Sequence, residues 1–294
     1  MSKTPSILII GSNSFTGIYL SKYLTGLNWK VHNSSRSNSK NSIFIDLMDI
    51  KSIKNAIKIT QPDYLINLAG ITTNTFKDYA AIYNVNVVGT LNLLSAIREE
   101  ASRIKNIVLL SSCNVYGNSS SLYVKETEIM KPINDYGISK STIEMIASAW
   151  KDKLPINIIR PFNYTGLGQP DNFLIPKLIS QYTNKLEFIE LGNIDVIREF
   201  NDVRDVVAIF KLIIEIKSSG NIFNVCSQRG YCIKEILKIL SKQTGWSPKI
   251  LINKKFVRKN DIKRLVGSNE KLFKYIPEYK FKKIEETLSW MMLK

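Results

Sequence analysis

Short apolar runs alternate with amphipathic stretches of helical length over the first 160 residues of this 294-residue chain. The runs lie at 7–10, 31, 43–45, 64–68, 107–110 and 156–159. Strands that alternate with helices in this way form βαβ units, which build a parallel sheet covered by helices on both faces. The sequence therefore predicts an α/β fold with a doubly wound parallel sheet.

The pattern changes after Arg160, where the periodicity weakens. Prolines and glycines then interrupt the chain at Pro161, Gly166, Gly168, Pro170 and Pro176. A chain of this length can bury a large core. We therefore predict a sheet domain over 1–160 and a smaller, mixed α/β lobe over 161–294.

The first apolar run leads into a glycine-containing turn and then into a helical pattern. A strand, a glycine turn and a helix together present backbone N–H groups and a helix N-terminus to a phosphate. This predicts a Rossmann-type dinucleotide site formed by Gly11, Asn13, Ser14, Phe15, Thr16 and Gly17. Ser14 stands in place of the usual middle glycine, so its Cβ is expected to approach the pyrophosphate.

The end of the second predicted strand indicates which nicotinamide cofactor is bound. NAD sites usually place an Asp or Glu there to accept from the ribose 2′-hydroxyl. Residues 31–36 read VHNSSR and contain no carboxylate. Ser35 can hydrogen-bond a 2′-phosphate and Arg36 can neutralise it. We predict NADP(H), with NAD(H) as the alternative.

Ser112, Tyr136 and Lys140 form the candidate catalytic group. Tyr136 and Lys140 are four residues apart, on one face of a helix and about 6 Å apart along its axis. Lys140 is expected to hold a permanent positive charge, and an adjacent ammonium favours the phenolate of a tyrosine that otherwise titrates near pH ~10. Ser112 would hydrogen-bond the reacting oxygen, although Ser111 is an equally plausible donor. Such a group transfers a proton at an alcohol or carbonyl while a nicotinamide transfers hydride.

Two residue counts exclude other chemistry. The single histidine, His32, excludes a Ser-His-Asp triad and a multi-histidine metal site, and we predict no metal. The three cysteines, at 113, 226 and 232, indicate no disulfide framework and a reducing cytoplasm. We expect no signal peptide, no apolar span of about 20 residues and no membrane partner.

The chain is strongly basic, with 41 Lys and Arg against 25 Asp and Glu and a formal net charge of +16. Such a charge is typical of nucleic-acid-binding proteins. The basic residues are dispersed, however, and no recognition motif accompanies them. We expect phosphate-bearing small molecules as partners and no nucleic acid.

These motifs, in this order, resemble the extended short-chain dehydrogenases/reductases that act on nucleotide sugars. The matching stretches are GSNSFTG at 11–17, DL at 46–47, NLAG at 67–70, NVNVVGTLNLL at 84–94, LLSSCNVYG at 109–117, YGISK at 136–140, RPFNYTGLGQ at 160–169, REFNDVRDVV at 198–207, and Arg258 and Asp261 before RLVG at 264–267. The chain is most similar to the branch that reduces nucleoside-diphosphate-4-keto-6-deoxyhexoses, above all the GDP-linked ones. The resemblance implies a 6-deoxyhexose product for cell-surface polysaccharide synthesis.

The resemblance also implies roles for individual residues. It places Asp46 and Leu47 beside the adenine, Leu68, Ala69 and Gly70 along the route to the nicotinamide, and Tyr136 and Lys140 at the cofactor. It places Ser112, Asn163, Lys177, Arg198 and Arg258 at the substrate. It further implies that part of 194–223 returns to the cofactor domain. A homodimer is expected through helices around 79–99 and 136–150.

Three other activities are close to this pattern. A 4,6-dehydratase would carry an Asp-Glu pair where this chain has Cys113 and Asn114. A 3,5-epimerase/4-reductase of the GDP-fucose-synthase type would pair Cys113 with a histidine in the substrate lobe, where none occurs. An NAD-dependent 4-epimerase would use the same Ser, Tyr and Lys, and only the cofactor turn favours the reductase over it. A non-enzymatic dinucleotide sensor would not need the catalytic group.

Overall fold

The computed structural model describes residues 4–37, 41–72, 78–101, 103–257 and 262–293. The first part of the chain contains β1 (Ser6–Ile10), α1 (Phe15–Gly26), β2 (Lys30–Ser35), β3 (Ile43–Phe44), α2 (Ile50–Thr60), β4 (Tyr64–Asn67), α3 (Tyr79–Tyr83), α4 (Gly89–Glu100), β5 (Asn106–Leu110), α5 (Asp135–Trp150) and β6 (Ile156–Pro161). A π-helical turn, Asn84–Val88, joins α3 to α4.

The remainder contains β7 (Tyr164–Thr165), α6 (Leu174–Thr183), β8 (Phe188–Leu191), β9 (Ile197–Arg198), β10 (Asn201–Asp202), α7 (Val203–Ile214), β11 (Ile222–Val225), β12 (Tyr231–Cys232), α8 (Ile233–Thr244), β13 (Lys249–Ile252), β14 (Arg264–Leu265), α9 (Glu270–Phe273) and α10 (Ile284–Met291). The three cysteines are free thiols.

Seven strands form one parallel sheet in the order β11-β6-β5-β4-β1-β2-β3. The chain therefore builds outward from β1 to β3, returns to place β4 beside β1, and continues in the opposite direction. Reversal of the strand order between β1 and β4 opens a crevice at their carboxyl ends, where ligands bind in folds of this kind. The prediction of a doubly wound, Rossmann-type sheet is confirmed.

Local sequence explains the layers. All five residues of β1 are buried, as expected for a central strand covered on both faces. In α2 the buried positions are Ile53, Ala56, Ile57 and Thr60, spaced three and four residues apart, while Lys51 and Lys58 are exposed. The apolar side chains of α2, α4 and α5 form one core cluster with the central strands.

The helical stretch 79–100 departs from one expectation. It is long and apolar enough, by length and composition alone, to cross a membrane. Core packing accounts for that composition, because Leu93, Leu94, Ala96 and Ile97 are fully buried in the cluster against the sheet. The stretch also buries Asn86 and Thr90, whose side chains hydrogen-bond inside the protein. It is the core helix of an α/β sheet, which is necessarily apolar on its inner face.

The chain divides into two compact units. The sheet unit comprises 1–115, 134–160 and 207–223, and the smaller unit comprises 116–133, 161–206 and 224–294. A division at 160 and a returning segment within 194–223 were expected. Inclusion of 116–133 in the smaller unit was not. That segment is held there by long-range bonds, since Val124 N donates to Val266 O and Asn224 Nδ2 donates to Val124 O.

The smaller unit has its own core, built from α6, α8 and α10. Its strands form short separate sheets: β8 pairs with β13, β7 with β10, and β9 with both β12 and β14. Glu199 joins several of its loops. Its buried carboxylate accepts from Gly267 N (2.7 Å), Ser227 N (2.8 Å) and Ser227 Oγ (3.2 Å). Burial raises the pKa of Glu199 to about 7, although these donors favour its ionised form.

Candidate active site

The glycine turn lies at the crevice between the carboxyl ends of β1 and β4. Gly11 has a φ of +77°, and a Cβ there would lie 2.8 Å from Ala69 N. A Cβ on Gly17 would lie 2.4 Å from Gly11 O and 2.6 Å from Ser12 Cα. Glycine is therefore required at both positions, because α1 packs directly on the backbone of the preceding turn. The turn and the β4 loop of Leu68–Gly70 consequently lie side by side, as predicted for two parts of one cofactor site.

Ser14 also has a structural role, and the expected approach of its Cβ to a pyrophosphate stays a prediction. It is the N-cap residue of α1, and its Oγ accepts from Gly17 N at 3.1 Å. The side chain is therefore turned toward the helix to satisfy one of its free N–H groups. Phe15 and Thr16 begin the first turn behind it, where the helix dipole favours an anion.

A cleft of about 360 Å³ lies beside this turn. It is lined by Ser12, Asn13, Ile18, Ser21, Lys22, Asn33, Ser35, Ser37, Asn41 and Ser42. Asn13 Nδ2 donates to Ser35 Oγ at 3.2 Å, which joins the glycine turn to the end of β2. Arg36 follows on the exposed turn and does not line the cleft. None of the lining side chains that the structure describes is a carboxylate.

Sequence analysis assigned only Asn13 and Ser35 of these ten lining residues to the cofactor, and two of the eight that it missed are informative. Lys22 lies on α1 one turn after Ile18, so helical spacing from the glycine turn was the signal that could have identified it. Asn33 Oδ1 is buried and has no hydrogen-bond partner within the described ranges. A cleft with an unsatisfied amide, one lysine, several hydroxyls and apolar surface fits the adenosine end of a dinucleotide.

The predicted adenine contacts, Asp46 and Leu47, follow β3. Leu47 is buried in the core, where it packs against Gly89. Little of its side chain is exposed, and its contact with an adenine stays a prediction. Asp46 is half-buried, and its Oδ1 accepts from Met48 N at 2.9 Å.

The structure separates the two candidate serines. Ser111 is fully buried and its hydroxyl donates to Glu144 Oε1 at 2.5 Å. Ser112 Oγ accepts from Asn114 N (3.2 Å) and from Asn114 Nδ2 (3.0 Å). Its own proton remains available for a reacting oxygen, because both of these bonds use the Ser112 oxygen as acceptor. The choice of Ser112 over Ser111 is consistent with this geometry.

Tyr136 and Lys140 lie on α5, which Asn134 caps by accepting from Gly137 N. Lys140 Nζ lies 5.7 Å from the centroid of the Tyr136 ring and donates to Leu110 O at 2.7 Å. The helix spacing thus brings the ammonium to the tyrosine, as predicted. The bond to Leu110 also ties α5 to the end of β5, two residues before Ser112.

The charge on Lys140 is less permanent than the sequence suggested. Lys140 is almost fully buried, and this burial lowers its pKa to about 8, while the Glu144 carboxylate raises it. The ammonium is therefore present at neutral pH and is lost in mildly alkaline solution. Burial was not visible in the Tyr-x-x-x-Lys spacing.

Asn86 is a further residue that sequence analysis missed. It lies in the π-helical turn, accepts from Ile71 N at 2.8 Å and donates to Ser139 Oγ at 3.0 Å. A Cβ on Gly70 would lie 3.0 Å from Asn86 Oδ1 and 3.5 Å from Lys140 Nζ. Asn86 therefore holds the β4 loop beside Lys140. A polar residue within an apolar helix was the available signal, since π-turns are frequent at functional sites.

The predicted substrate residues other than Ser112 lie in the smaller unit or outside the described ranges. Asn163 is exposed, and its carbonyl accepts from Asn201 N at 2.9 Å. Lys177 is exposed on α6, with Nζ 5.5 Å from the centroid of the Phe256 ring. Arg198 is half-buried on β9. Arg258 lies outside the described residues.

Two observations bear on the alternative chemistries. Cys113 is only 2 % exposed, and His32 lies on β2, paired with Leu8 in the sheet. Cys113 is therefore a buried thiol after β5. His32 belongs to a strand of the sheet unit and not to the substrate lobe, where an epimerase-reductase would need its histidine. Among the described residues, no group of three or more His, Cys, Asp and Glu is arranged to hold a metal ion.

Comparison with known proteins gives one family. The model of the NAD dependent epimerase/dehydratase family matches residues 7–226. The chain is 32% identical over 84% of its length to GDP-6-deoxy-D-talose 4-dehydrogenase from Aggregatibacter actinomycetemcomitans, and covers 84% of that protein. It is 31% identical over 72% of its length to GDP-6-deoxy-D-mannose reductase from Pseudomonas aeruginosa, covering 73% of it.

Two further similarities are relevant. UDP-glucose 4-epimerase from Mycoplasma genitalium is 27% identical over 70% of this chain, which covers 68% of that enzyme. The structure of RMD from Pseudomonas aeruginosa complexed with NADPH superposes with a TM-score of 0.88 at 27% identity, over 98% of both chains.

Proposed function

The chain belongs to the NAD dependent epimerase/dehydratase family, and from this we propose that it reduces the C4 ketone of a nucleoside-diphosphate-4-keto-6-deoxyhexose with NADPH. That it is an NAD(P)-dependent, oxidoreductase-type enzyme acting on nucleotide sugars follows from its relatives. A GDP-linked substrate is favoured, because two relatives above 30% identity are named for GDP-6-deoxyhexoses. The product would be a nucleoside-diphosphate-6-deoxyhexose for cell-surface polysaccharide synthesis.

One observation carries the choice of a reductase. Among its described lining side chains, the cleft at the end of β2 contains Lys22, hydroxyls and amides but no carboxylate. A 2′-phosphate is favoured by such a lining, whereas a ribose 2′-hydroxyl is usually held by an acidic side chain. NADPH is exchanged at each turnover by a reductase, while an epimerase retains NAD. The NADPH complex of the neighbour from Pseudomonas aeruginosa supports the same assignment.

The proposal assigns cofactor binding and proton transfer to different residues. The glycine turn and the N-terminus of α1 would bind the pyrophosphate, and Ser35 and Lys22 would contact the 2′-phosphate, with Arg36 nearby. Bound NADPH supplies the hydride. Ser112 would donate a hydrogen bond to the substrate carbonyl oxygen, and Tyr136 would give that oxygen its proton.

Lys140 and the smaller unit complete the proposal. The Lys140 ammonium, close to the ring of Tyr136, would stabilise the phenolate left after the proton is transferred. Asn163, Lys177, Arg198 and Arg258 would bind the nucleoside diphosphate, whose charge suits cationic and amide donors.

A 4-epimerase with retained NAD is the second candidate. The similarity to UDP-glucose 4-epimerase favours it, and the same Ser, Tyr and Lys would serve. An epimerase-reductase of the GDP-fucose-synthase type is less well supported, because Cys113 is buried and the one histidine lies on β2.

The test is an NADPH-oxidation screen over GDP-, dTDP- and UDP-linked 4-keto-6-deoxyhexoses, with the products identified by NMR. We expect oxidation of NADPH with at least one of them, fastest with a GDP sugar, and a hydroxyl at C4 of the product. Purified protein that carries bound NAD, epimerises a UDP-hexose and oxidises no NADPH would instead establish the 4-epimerase.

We also propose a cytoplasmic homodimer formed through the stretch 79–100 and α5. Exposed apolar side chains on both support it: Tyr79, Val88, Leu91, Ile138 and Met145. Burial of such side chains drives association. Light scattering after size exclusion should give twice the mass of the chain, and Met145→Glu should shift it toward the monomer. A monomeric wild-type protein at micromolar concentration would contradict the dimer.

A further inference from the structure

Arg160 is the first residue of the RPFNYTGLGQ motif, and it has no role in binding the cofactor or the substrate in the proposed function. Its guanidinium makes two bonds to Glu144, Nε to Oε1 at 2.8 Å and Nη2 to Oε2 at 2.6 Å. Both side chains are only 3 % exposed. A buried ion pair contributes little net stability, because desolvation of two charges offsets their attraction. The pair therefore calls for an explanation other than stability.

A third group completes the cluster. Ser111 donates its hydroxyl to Glu144 Oε1 at 2.5 Å, and Ser111 N donates to Ile159 O at 2.8 Å. Glu144 lies in the middle of α5, Ser111 follows β5, and Arg160 belongs to β6. One carboxylate thus bonds the catalytic helix to the ends of two adjacent strands.

The Glu144 carboxylate is linked to the catalytic group in two ways, through its own helix and through its partner Ser111. Glu144 is one helical turn after Lys140, as Lys140 is after Tyr136, so the three share a face of α5. Ser111 directly precedes Ser112. Lys140 itself donates to Leu110 O. Residues 110 and 111 are therefore each bonded to α5, and the Ser112 hydroxyl is left for substrate.

We propose that Glu144, with Arg160 as its counter-ion, is a positioning residue for proton transfer, holding α5 against the end of β5 and thereby fixing Tyr136 and Lys140 relative to the Ser112 hydroxyl. This inference rests on the proposed function. Displacement of catalytic groups by about 1 Å costs on the order of 10²-fold in rate, so a support of this kind acts on kcat.

The cluster also acts on Lys140 through charge. Among the described residues, the ammonium lies close to the Tyr136 ring on the preceding turn and interacts with the Glu144 carboxylate on the next turn, which in turn binds Arg160. Glu144 raises the pKa of Lys140 against the effect of burial. Without the carboxylate, that support is lost and the Arg160 cation is no longer neutralised. Both changes lower the pKa of Lys140.

The test is Glu144→Gln, which keeps the size of the side chain and one acceptor oxygen. We expect kcat for NADPH-dependent reduction to fall by about 10- to 100-fold, with KM for NADPH changed by less than about threefold. The alkaline limb of the kcat profile should move to lower pH by about half a unit or more. Glu144→Asp, which restores the charge, should return the limb toward its original pH.

Two further variants separate positioning from folding. Asp205→Asn removes another buried carboxylate, which in the smaller unit accepts from Lys282 N (2.7 Å) and Tyr279 Oη (3.0 Å). It should lower thermal stability and leave the pH profile in place. Ser111→Ala removes one bond and no charge, so it tests positioning if Glu144→Gln does not fold. It should lower kcat by about three- to tenfold with no shift of the limb.

A readout without sugar substrate keeps this inference distinct from the proposed function. In protein labelled with ¹³Cε-lysine, the Lys140 resonance is identified by its loss in Lys140→Met. Its titration should move to lower pH in Glu144→Gln and remain in place in Asp205→Asn. An unchanged Lys140 titration, or an unchanged kcat in both Glu144→Gln and Ser111→Ala, would overturn the inference. A shifted titration in a protein that reduces no 4-keto sugar would refute the proposed function alone.

Discussion

Replacement of Tyr136 by Phe is expected to lower kcat for NADPH-dependent reduction by about 10²- to 10⁴-fold, the range for loss of a general acid. The substitution removes one hydroxyl and leaves the ring against which Lys140 Nζ lies at 5.7 Å. Because the ring and the glycine turn are retained, the Kd for NADPH should change by less than about threefold. Steady-state kinetics and NADPH fluorescence titration measure the two quantities.

The proposed roles of Tyr136 and Lys140 also predict how kcat of the wild-type enzyme depends on pH. Lys140 must be protonated to stabilise the Tyr136 phenolate, and burial lowers its pKa to about 8. The rate should therefore be maintained below that pH and decline as the pH rises through about 8. Tyr64→Phe, at the start of β4 and half-buried, is the matched control and should keep wild-type kcat. A Tyr136→Phe enzyme with bound NADPH and near-normal kcat would contradict the assignment.

The sheet was predictable because central parallel strands are apolar on both faces. The runs at 7–10, 64–68, 107–110 and 156–159 each correspond to an observed strand. The strand β11 was not found, since its four residues follow a loosely patterned region and its pairing with β6 is long-range. The segment 116–133 was misassigned for a similar reason. Its position in the smaller unit depends on individual hydrogen bonds to residues about 100 or more positions away in sequence, such as the bond from Asn224 Nδ2 to Val124 O.

The site was predictable where helical spacing alone fixes a distance. Tyr136 and Lys140 meet because they are four residues apart on α5. The choice between Ser111 and Ser112 depends on Glu144, which is 33 residues away from Ser111 in sequence. The pKa of Lys140 depends on burial, which no motif encodes. Lys22 and Asn86 were not predicted, because their roles depend on tertiary packing. Lys22 lines the cleft only because α1 lies beside it, and Asn86 binds the β4 loop only because the π-helical turn lies against that loop.

Replacement of Gly17 by Ala should weaken NADPH binding by about 100-fold or more and destabilise the protein by about 1–3 kcal/mol. The added Cβ would lie 2.4 Å from Gly11 O and 2.6 Å from Ser12 Cα. Both are backbone atoms, so no side-chain rotation can relieve the contact. The first turn of α1 must therefore move away from the strand-to-helix loop, and the N–H groups expected to bind the pyrophosphate move with it.

The same helix supplies the control. Gly26 is the last residue of α1, and a Cβ there meets no atom within 4 Å. Gly26→Ala should retain NADPH affinity and gain up to about 1 kcal/mol, because alanine has the higher helix propensity. Fluorescence titration and urea unfolding of both variants make the comparison. Equal NADPH affinity in the two variants would show that close packing of α1 on the glycine turn does not form the cofactor site.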